Sequence, residues 1–372
     1  MADENTLATP EDDDEEEETQ RQPEADPDEE DAESMQSTDF QGIDRLNKDL
    51  KKASLDLRPG EARYLVDTYY QQQQQRVRAK QRLTAAAKVG EPNSILNWDF
   101  CNVKRRENDI KVALGAFSAS YRVGAWLQSL CGIGPVISAG LLAYLDIRQA
   151  KTVGHFWNFA GLNPDMVWLG KEPAKSLVAE IMGKGEKLTE ASFQAVCTRA
   201  NRHPENIRKM MREFTRAKLE TVLAKRPWCA RLKILTAFKA GECFIKTQNN
   251  ERDFYGSIYR TRKDMELDKN FRKEFADQAA RGMTRVKKST EAYKYYKEGF
   301  LPPGHIHSRA RRYAVKIFLS HVHAVMFNDY YGTQAPEPWC FKHLPEDHRH
   351  YIAPPDWPGE HVGRSTRTLL DG

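Results

Sequence analysis

Along this 372-residue chain apolar side chains recur at helical spacing, and no stretch sustains the two-residue alternation of a half-buried strand. After Arg58-Pro59-Gly60-Glu61, which reads as a helix start, Ala62, Leu65, Val66, Tyr69 and Tyr70 mark one stripe. The run Gln71 to Gln75 reads as its solvated continuation. Gly90-Glu91-Pro92-Asn93-Ser94 breaks the pattern. Leu96, Phe100, Val103, Ile110, Leu114 and Phe117 then form a second stripe, interrupted only at Glu107. Two long helices with narrow seams and a short loop predict an antiparallel helical hairpin or coiled-coil arm over residues 41–120. Burial explains that arm without any chemistry, and it allows self-association into a homo-oligomer.

Residues 121–332 continue the helical pattern. Helices are predicted over Thr189–Ala200, Pro204–Phe214, Arg216–Ala224, Ala230–Lys246, Asp253–Glu266, Lys269–Arg281 and Arg309–Phe327. From Thr333 to residue 372, Pro336, Pro338, Pro345, Pro354, Pro355 and Pro358 predict an irregular Pro/His-rich tail. Residues 1–40 are acidic and nearly free of large apolar side chains, so they cannot bury enough surface to offset ordering, and disorder is expected. The expected fold class is mainly α: a helical arm, then a helical domain, with a disordered acidic N-terminus.

The most informative stretch is Leu130-Cys131-Gly132-Ile133-Gly134-Pro135-Val136, followed by Ser138, Ala139 and Gly140. An apolar helix ends in Gly-Ile-Gly and a second begins at once, which predicts a helix-hairpin-helix. Gly132 suits the positive φ that closes the hairpin, and Ile133 plugs the gap between the helices. Gly134 leaves amide donors open at the second helix's start, and Pro135 fits the first helical position. Those amides, with the helix dipole, can hold a DNA phosphate without reading a base. The other reading is a glycine turn between two core helices.

Charge sharpens this picture. The chain holds 57 Lys and Arg against 53 Asp and Glu, but 18 of those acids lie in residues 1–40 beside a single Arg, leaving +21 on residues 41–372. A body so basic, with no membrane-spanning run, points to a polyanionic partner. DNA is the expected partner, with structured RNA as the open alternative and no membrane. The run Glu11 to Glu18 matches a phosphate backbone in charge density and could compete for the basic body. Six scattered cysteines without a CxxC pair fit a reducing compartment, no signal peptide is visible at the N-terminus, and a cytoplasmic location is expected.

Further candidates follow from spacing. Arg309, Arg312 and Lys316 recur at three and four residues as one cationic stripe, a candidate DNA contact with Gly132, Ile133, Gly134 and Val136. Thr189 to Lys209 outlines a helix-turn-helix with Asn201 in a left-handed turn, though a turn and two helices specify little and a plain helical pair is the favoured reading. His305, His307, His321, His323, His343, His348 and His350 lack the pattern of a metal site, and neither metal nor cofactor is expected.

Gly132-Ile133-Gly134-Pro135-Val136, Ala139-Gly140-Leu141-Leu142-Ala143, Asp146-Ile147 and Phe159-Ala160-Gly161-Leu162-Asn163-Pro164 together resemble the carboxy-terminal domain of a family of bacterial insertion-sequence transposases. Phe254-Tyr255-Gly256-Ser257-Ile258-Tyr259-Arg260 and the stretch from Gly304 to Lys316 are similar more loosely. Members of that family join a RuvC-like nuclease domain, through a helical arm, to a helix-hairpin-helix domain with a catalytic serine. The RuvC-like half has no counterpart in this sequence. The family's serine would follow the Ala-Gly-Leu-x-Pro segment beside a glycine, but Asp165-Met166-Val167-Trp168 stands there. The resemblance therefore leaves Ser176 and Ser257 as candidate nucleophiles, the latter beside Gly256 and among Arg252, Arg260 and Arg262. It implies DNA binding in a mobile-element setting. An active strand-transfer enzyme borrowing a nuclease partner, or a structural helical protein meeting RNA or an acidic protein, are the alternatives.

Overall fold

A computed structural model describes residues 46–90, 94–183, 185–338 and 352–357. These residues are mainly helical, and no β-strand occurs among them. The acidic segment 1–40 lies outside them, as do His343, His348 and His350. The chain divides into two compact units, one of residues up to Ser118 with Lys269–Pro302, the other of Ala119–Asp268 with residues from Pro303 onward.

In the first unit, Asn47 caps α1 (Lys48–Ala53), its side-chain oxygen accepting from the Leu50 amide at 2.9 Å. Pro59 opens α2 (Pro59–Lys88), and the Glu61 carboxylate reaches back to the Arg58 amide at 2.7 Å. Gly90, at φ +75°, takes the left-handed conformation that ends many helices. α3 (Ser94–Ala119) then returns antiparallel, because the Arg76 guanidinium bonds both oxygens of Glu107, through Nη2 at 3.4 Å and more closely through Nε.

That ion pair accounts for the break in the apolar seam. Glu107 is only 8 % exposed, and burial together with its carboxylate pushes the Tyr69 phenol upward. Any other register of the two helices would leave a buried carboxylate alone, at a cost of about 3–5 kcal/mol. Gln72 corrects the reading of the glutamine run: it is buried, since positions 72, 76 and 79 share one helical face.

The second unit begins with α4 (Arg122–Ser129) and α5 (Pro135–Tyr144), a helical hairpin. Small residues let its neighbours approach. Ser138 Oγ donates to the Gly124 carbonyl of α4 at 3.1 Å. A Cβ on Gly140 would lie 2.6 Å from Leu235 Cδ2. α6 (Val153–Phe159) follows.

The chain then leaves this body for four helices, α7 (Lys171–Met182), α8 (Glu190–Arg199), α9 (Pro204–Met210) and α10 (Arg216–Ala224). They enclose their own core, which includes Val178, Phe193, Val196, Cys197, Leu219 and Leu223. α9 is shorter than predicted because Met211 turns extended and buries its side chain in that core. The chain returns at Trp228, which packs so closely on Gly161 (φ +65°) that a Cβ there would come within 2.8 Å of the indole. The Cys229 amide donates to the Phe159 carbonyl at 3.0 Å, and Trp168 Nε1 to the Ala224 carbonyl at 2.8 Å. Residues 165–226 are thus a helical insert with a closed base.

α11 (Ala230–Lys233), a π-helical stretch (Ile234–Ala240) and α12 (Gly241–Thr247) follow one another directly, and α13 (Phe254–Phe271) comes next. The helix predicted over Lys269–Arg281 is split by Lys273, at φ +60°. In the first unit, α14 (Ala276–Met283) packs on α15 (Glu291–Lys297) where Gly282 meets the Tyr296 ring. Asn270 clamps this excursion, accepting from the Leu301 amide at 2.8 Å and donating to its carbonyl at 3.0 Å.

α16 (Pro303–Tyr331) is the central helix of the second unit: no side chain from 305 to 330 is fully exposed. The Pro/His-rich tail is irregular where it is described, yet tied down. The Pro355 carbonyl accepts from Trp126 Nε1 at 2.8 Å, the Ile352 carbonyl from His321 at 2.8 Å, and Trp357 Nε1 donates to Asn328 at 3.1 Å. Among the described residues no helix is long and apolar enough to cross a membrane.

Candidate nucleic-acid interface

The turn between α4 and α5 has the backbone its glycines imply. Gly132 sits at φ +86°, where a side chain would be strained, and Gly134 is extended as the N-cap of α5. Ile133 is 3 % exposed, and its amide is spent on the Leu130 carbonyl at 3.1 Å. Val136 is buried as well, so only its amide could face a ligand. The first turn of α5 leaves the Gly134, Val136 and Ile137 amides without intrahelical acceptors, and a Cβ on Gly134 would meet open space. An anion could approach there.

The other side of the turn is closed. A Cβ on Gly132 would meet Thr247 Oγ1 at 3.3 Å and Cys243 Cβ at 3.4 Å, so the turn packs on the end of α12. Thr247 Oγ1 donates to Asp253 Oδ2 at 2.7 Å, and the opposite oxygen of Asp253 accepts from the Gly256 amide at 2.8 Å, capping α13. Arg260 Nη1 donates to the Gln248 carbonyl at 2.9 Å. These contacts bring the α12–α13 turn against the hairpin, and that turn carries the exposed cations Lys246, Arg252 and Arg260 beside the exposed acid Glu251. Sequence spacing does not single out Lys246, and it brings in Arg252 and Arg260 only as neighbours of Ser257. Their meeting with the hairpin depends on the α12–α13 turn, which has no periodic signature.

Arg309, Arg312 and Lys316 lie on α16 and are all half-buried. Arg309 Nε donates to Glu266 Oε2 at 2.8 Å, and Arg262 holds the other oxygen of the same carboxylate. Glu266 is 1 % exposed, and although burial opposes its charge, the two arginines hold its carboxyl below the usual range. The Lys316 carbonyl accepts from Trp157 Nε1 at 3.1 Å. Arg309 is thus matched by a carboxylate within the second unit, while Arg312 and Lys316 keep part of their surface exposed.

The two serines differ. Ser176 is exposed on α7, within the insert. Ser257 Oγ donates to the Phe254 carbonyl at 2.7 Å, one helical turn back. Its neighbour Gly256 has a packing role, since a Cβ there would fall 2.6 Å from Gln248 Cα. The segment that follows Asn163-Pro164, where the family resemblance would seek its serine, is the start of the insert.

The helix-turn-helix outline resolves into a compact helical pair. Asn201 does take φ +52°, but it and Arg202 are drawn back to the carbonyls of Asp165 and Val167. Arg208 lies 3.8 Å over the Phe214 ring and 3.6 Å from Glu190. The described histidines of α16 face different partners. A carbonyl only accepts, so His321 carries its proton on Nε2 toward Ile352, and Nδ1 accepts from Tyr255 at 2.9 Å. His323 Nε2 meets the Ala150 carbonyl at 2.9 Å, and His307 meets Tyr259 at 2.8 Å. Burial pushes His321 down to about 4. No family model, curated protein or solved structure matches the chain.

Proposed function

We propose that this chain binds the DNA backbone without sequence preference, through the hairpin turn and the cations beside it, in the manner of the transposase carboxy-terminal domain it resembles. The observation that carries this reading is the open first turn of α5 at Gly134, at a corner shared with the exposed Lys246, Arg252 and Arg260. Amide donors and a helix dipole favour a phosphate there, and three cations supply the sequence-independent term. The half-buried cations of α16 shape the body and are not counted as contacts.

The test is duplex affinity across salt concentrations. The wild type should show a steep decline of log K with log salt. Replacing Lys246, Arg252 and Arg260 with Gln should lower that slope by about 2–3, since each phosphate no longer neutralised removes ~0.9. Gly134→Asp adds a carboxylate without a clash and should weaken binding, whereas Gly132→Asp would also strain the turn. Unchanged binding in both the Gly134→Asp and the triple variant would remove the hairpin corner from the interface.

A further inference from the structure

The arm carries a second cationic surface unrelated to the hairpin corner. On α2, Arg78, Lys80 and Arg82 are exposed, and on α3 so are Lys104, Arg105 and Arg106. The Arg76–Glu107 pair fixes which residues stand opposite one another. Because the helices run antiparallel from that contact, position 78 lies level with position 105, and the two triplets fall within about one and a half helical turns of each other along the hairpin.

Acidic compensation is sparse. Residues 71–90 contain no Asp or Glu, and the Glu107 carboxylate is taken by Arg76. Asp99 and Asp109 fall on either side of the α3 triplet. Among the described residues none of the six has an ion-pair partner; Arg105 donates to Asn102 Oδ1 at 2.6 Å, which leaves its charge uncancelled. Arg78 and Arg82 stand four residues apart on one flank, an arrangement that costs an isolated helix a few tenths of a kcal/mol. Helix formation therefore does not explain the belt. Exposed glutamines and asparagines around it (Gln74, Gln75, Gln81, Asn97, Asn108) add neutral hydrogen-bond donors.

We infer that this belt is a second nucleic-acid site, which takes the phosphate backbone of duplex DNA along the arm. It extends the proposed function by a surface that shares no residue with the hairpin corner. A second copy of the arm fits the belt poorly, since like charges would face each other at the same height.

The experiment measures duplex binding by the full chain across salt for two variants, Arg78→Gln/Lys80→Gln/Arg82→Gln and Lys104→Gln/Arg105→Gln/Arg106→Gln. All six positions are exposed, so helix content by circular dichroism should match the wild type, and either variant can be read without the other. At least one should bind at least tenfold more weakly near 0.15 M salt, with a slope lower by about 2–3. If both keep the wild-type affinity and slope while the corner variant loses them, the belt is wrong and the proposed function stands. Loss in the belt variants with an unaffected corner variant supports the belt and removes the corner. Absence of duplex binding by the wild type overturns both.

Discussion

Arg309 and Arg311 on α16 stand among carboxylates, whereas the six cations of the arm belt face water on both helices. Arg309 shares Glu266 with Arg262, and Arg311 donates to Glu242 at 2.8 Å while its stem packs on Gly241. The two regions are alike in sequence in being rich in Arg and Lys, spaced three and four residues apart on α16 and one or two apart in the belt. They differ in what else their helices carry. α16 buries Ile306, Ala310, Val315, Phe318 and Val322 over a broad face, so Arg311 on that face and Arg309 at its edge are matched by carboxylates. α2 and α3 have one narrow seam each, and every cation off that seam stays in solvent. The periodicity of charge is informative only together with the width of the apolar stripe.

Glu266→Gln probes the matched side of this comparison most severely. It leaves Arg262 and Arg309 around a neutral amide in a site that is 1 % exposed, and removing one partner of a buried pair costs about 3–5 kcal/mol. Denaturant unfolding should show that loss, while Lys104→Gln on the belt should change stability by under about 0.5 kcal/mol. Equal effects from the two would erase the distinction between the regions.

Acid should act on the same helix. The folded-state value of His321 lies at about 4, below its ordinary 6.5, so between those values the unfolded chain takes up a proton that the folded chain refuses. Stability should therefore fall as pH is lowered from 6.5 toward 4, by at most about 3 kcal/mol from this residue. Burial shifts His323 in the same direction. Unfolding midpoints measured at pH 7, 5.5 and 4.5 should decline, and His321→Gln, which keeps a donor for the Ile352 carbonyl, should flatten the decline. A wild-type midpoint that is constant over this range would contradict the buried, neutral imidazole.

How much of this is legible in the sequence depends on the range of the interaction. The arm, the hairpin turn and its glycines come from periodicity and backbone preference within some thirty residues, and the positive φ of Gly132 and Asn201 follows from residue type. The burial of Glu107 is visible only as a flaw in a stripe, because its partner Arg76 lies 31 positions away. The insert, the Asn270–Leu301 clamp and the contacts of Ile352 and Pro355 rest on pairs far apart in sequence. The stripe of Arg309, Arg312 and Lys316 looks like a DNA-facing surface in sequence for a related reason: a single helix does not reveal what packs on its other faces.

Gly256 and Ser257 give the last and finest contrast. Gly256→Ala would place a methyl 2.6 Å from Gln248 Cα, a backbone atom, and 1.9 Å from Asp253 Oδ2, so the α12–α13 turn must move; about 1–3 kcal/mol of destabilisation is expected in thermal or chemical unfolding. Ser257→Ala removes only a hydroxyl that donates to the carbonyl one turn back, and alanine is the better helix former. Its effect on stability should stay within about 0.5 kcal/mol, and duplex affinity and salt slope should not change. Ser176→Ala, on an exposed position of the insert, should be equally silent. If the chain joins or nicks DNA with added metal and either serine variant abolishes that reaction while Gly256→Ala folds and retains it, the glycine is not what governs this turn's function, and a binding-only role is too narrow.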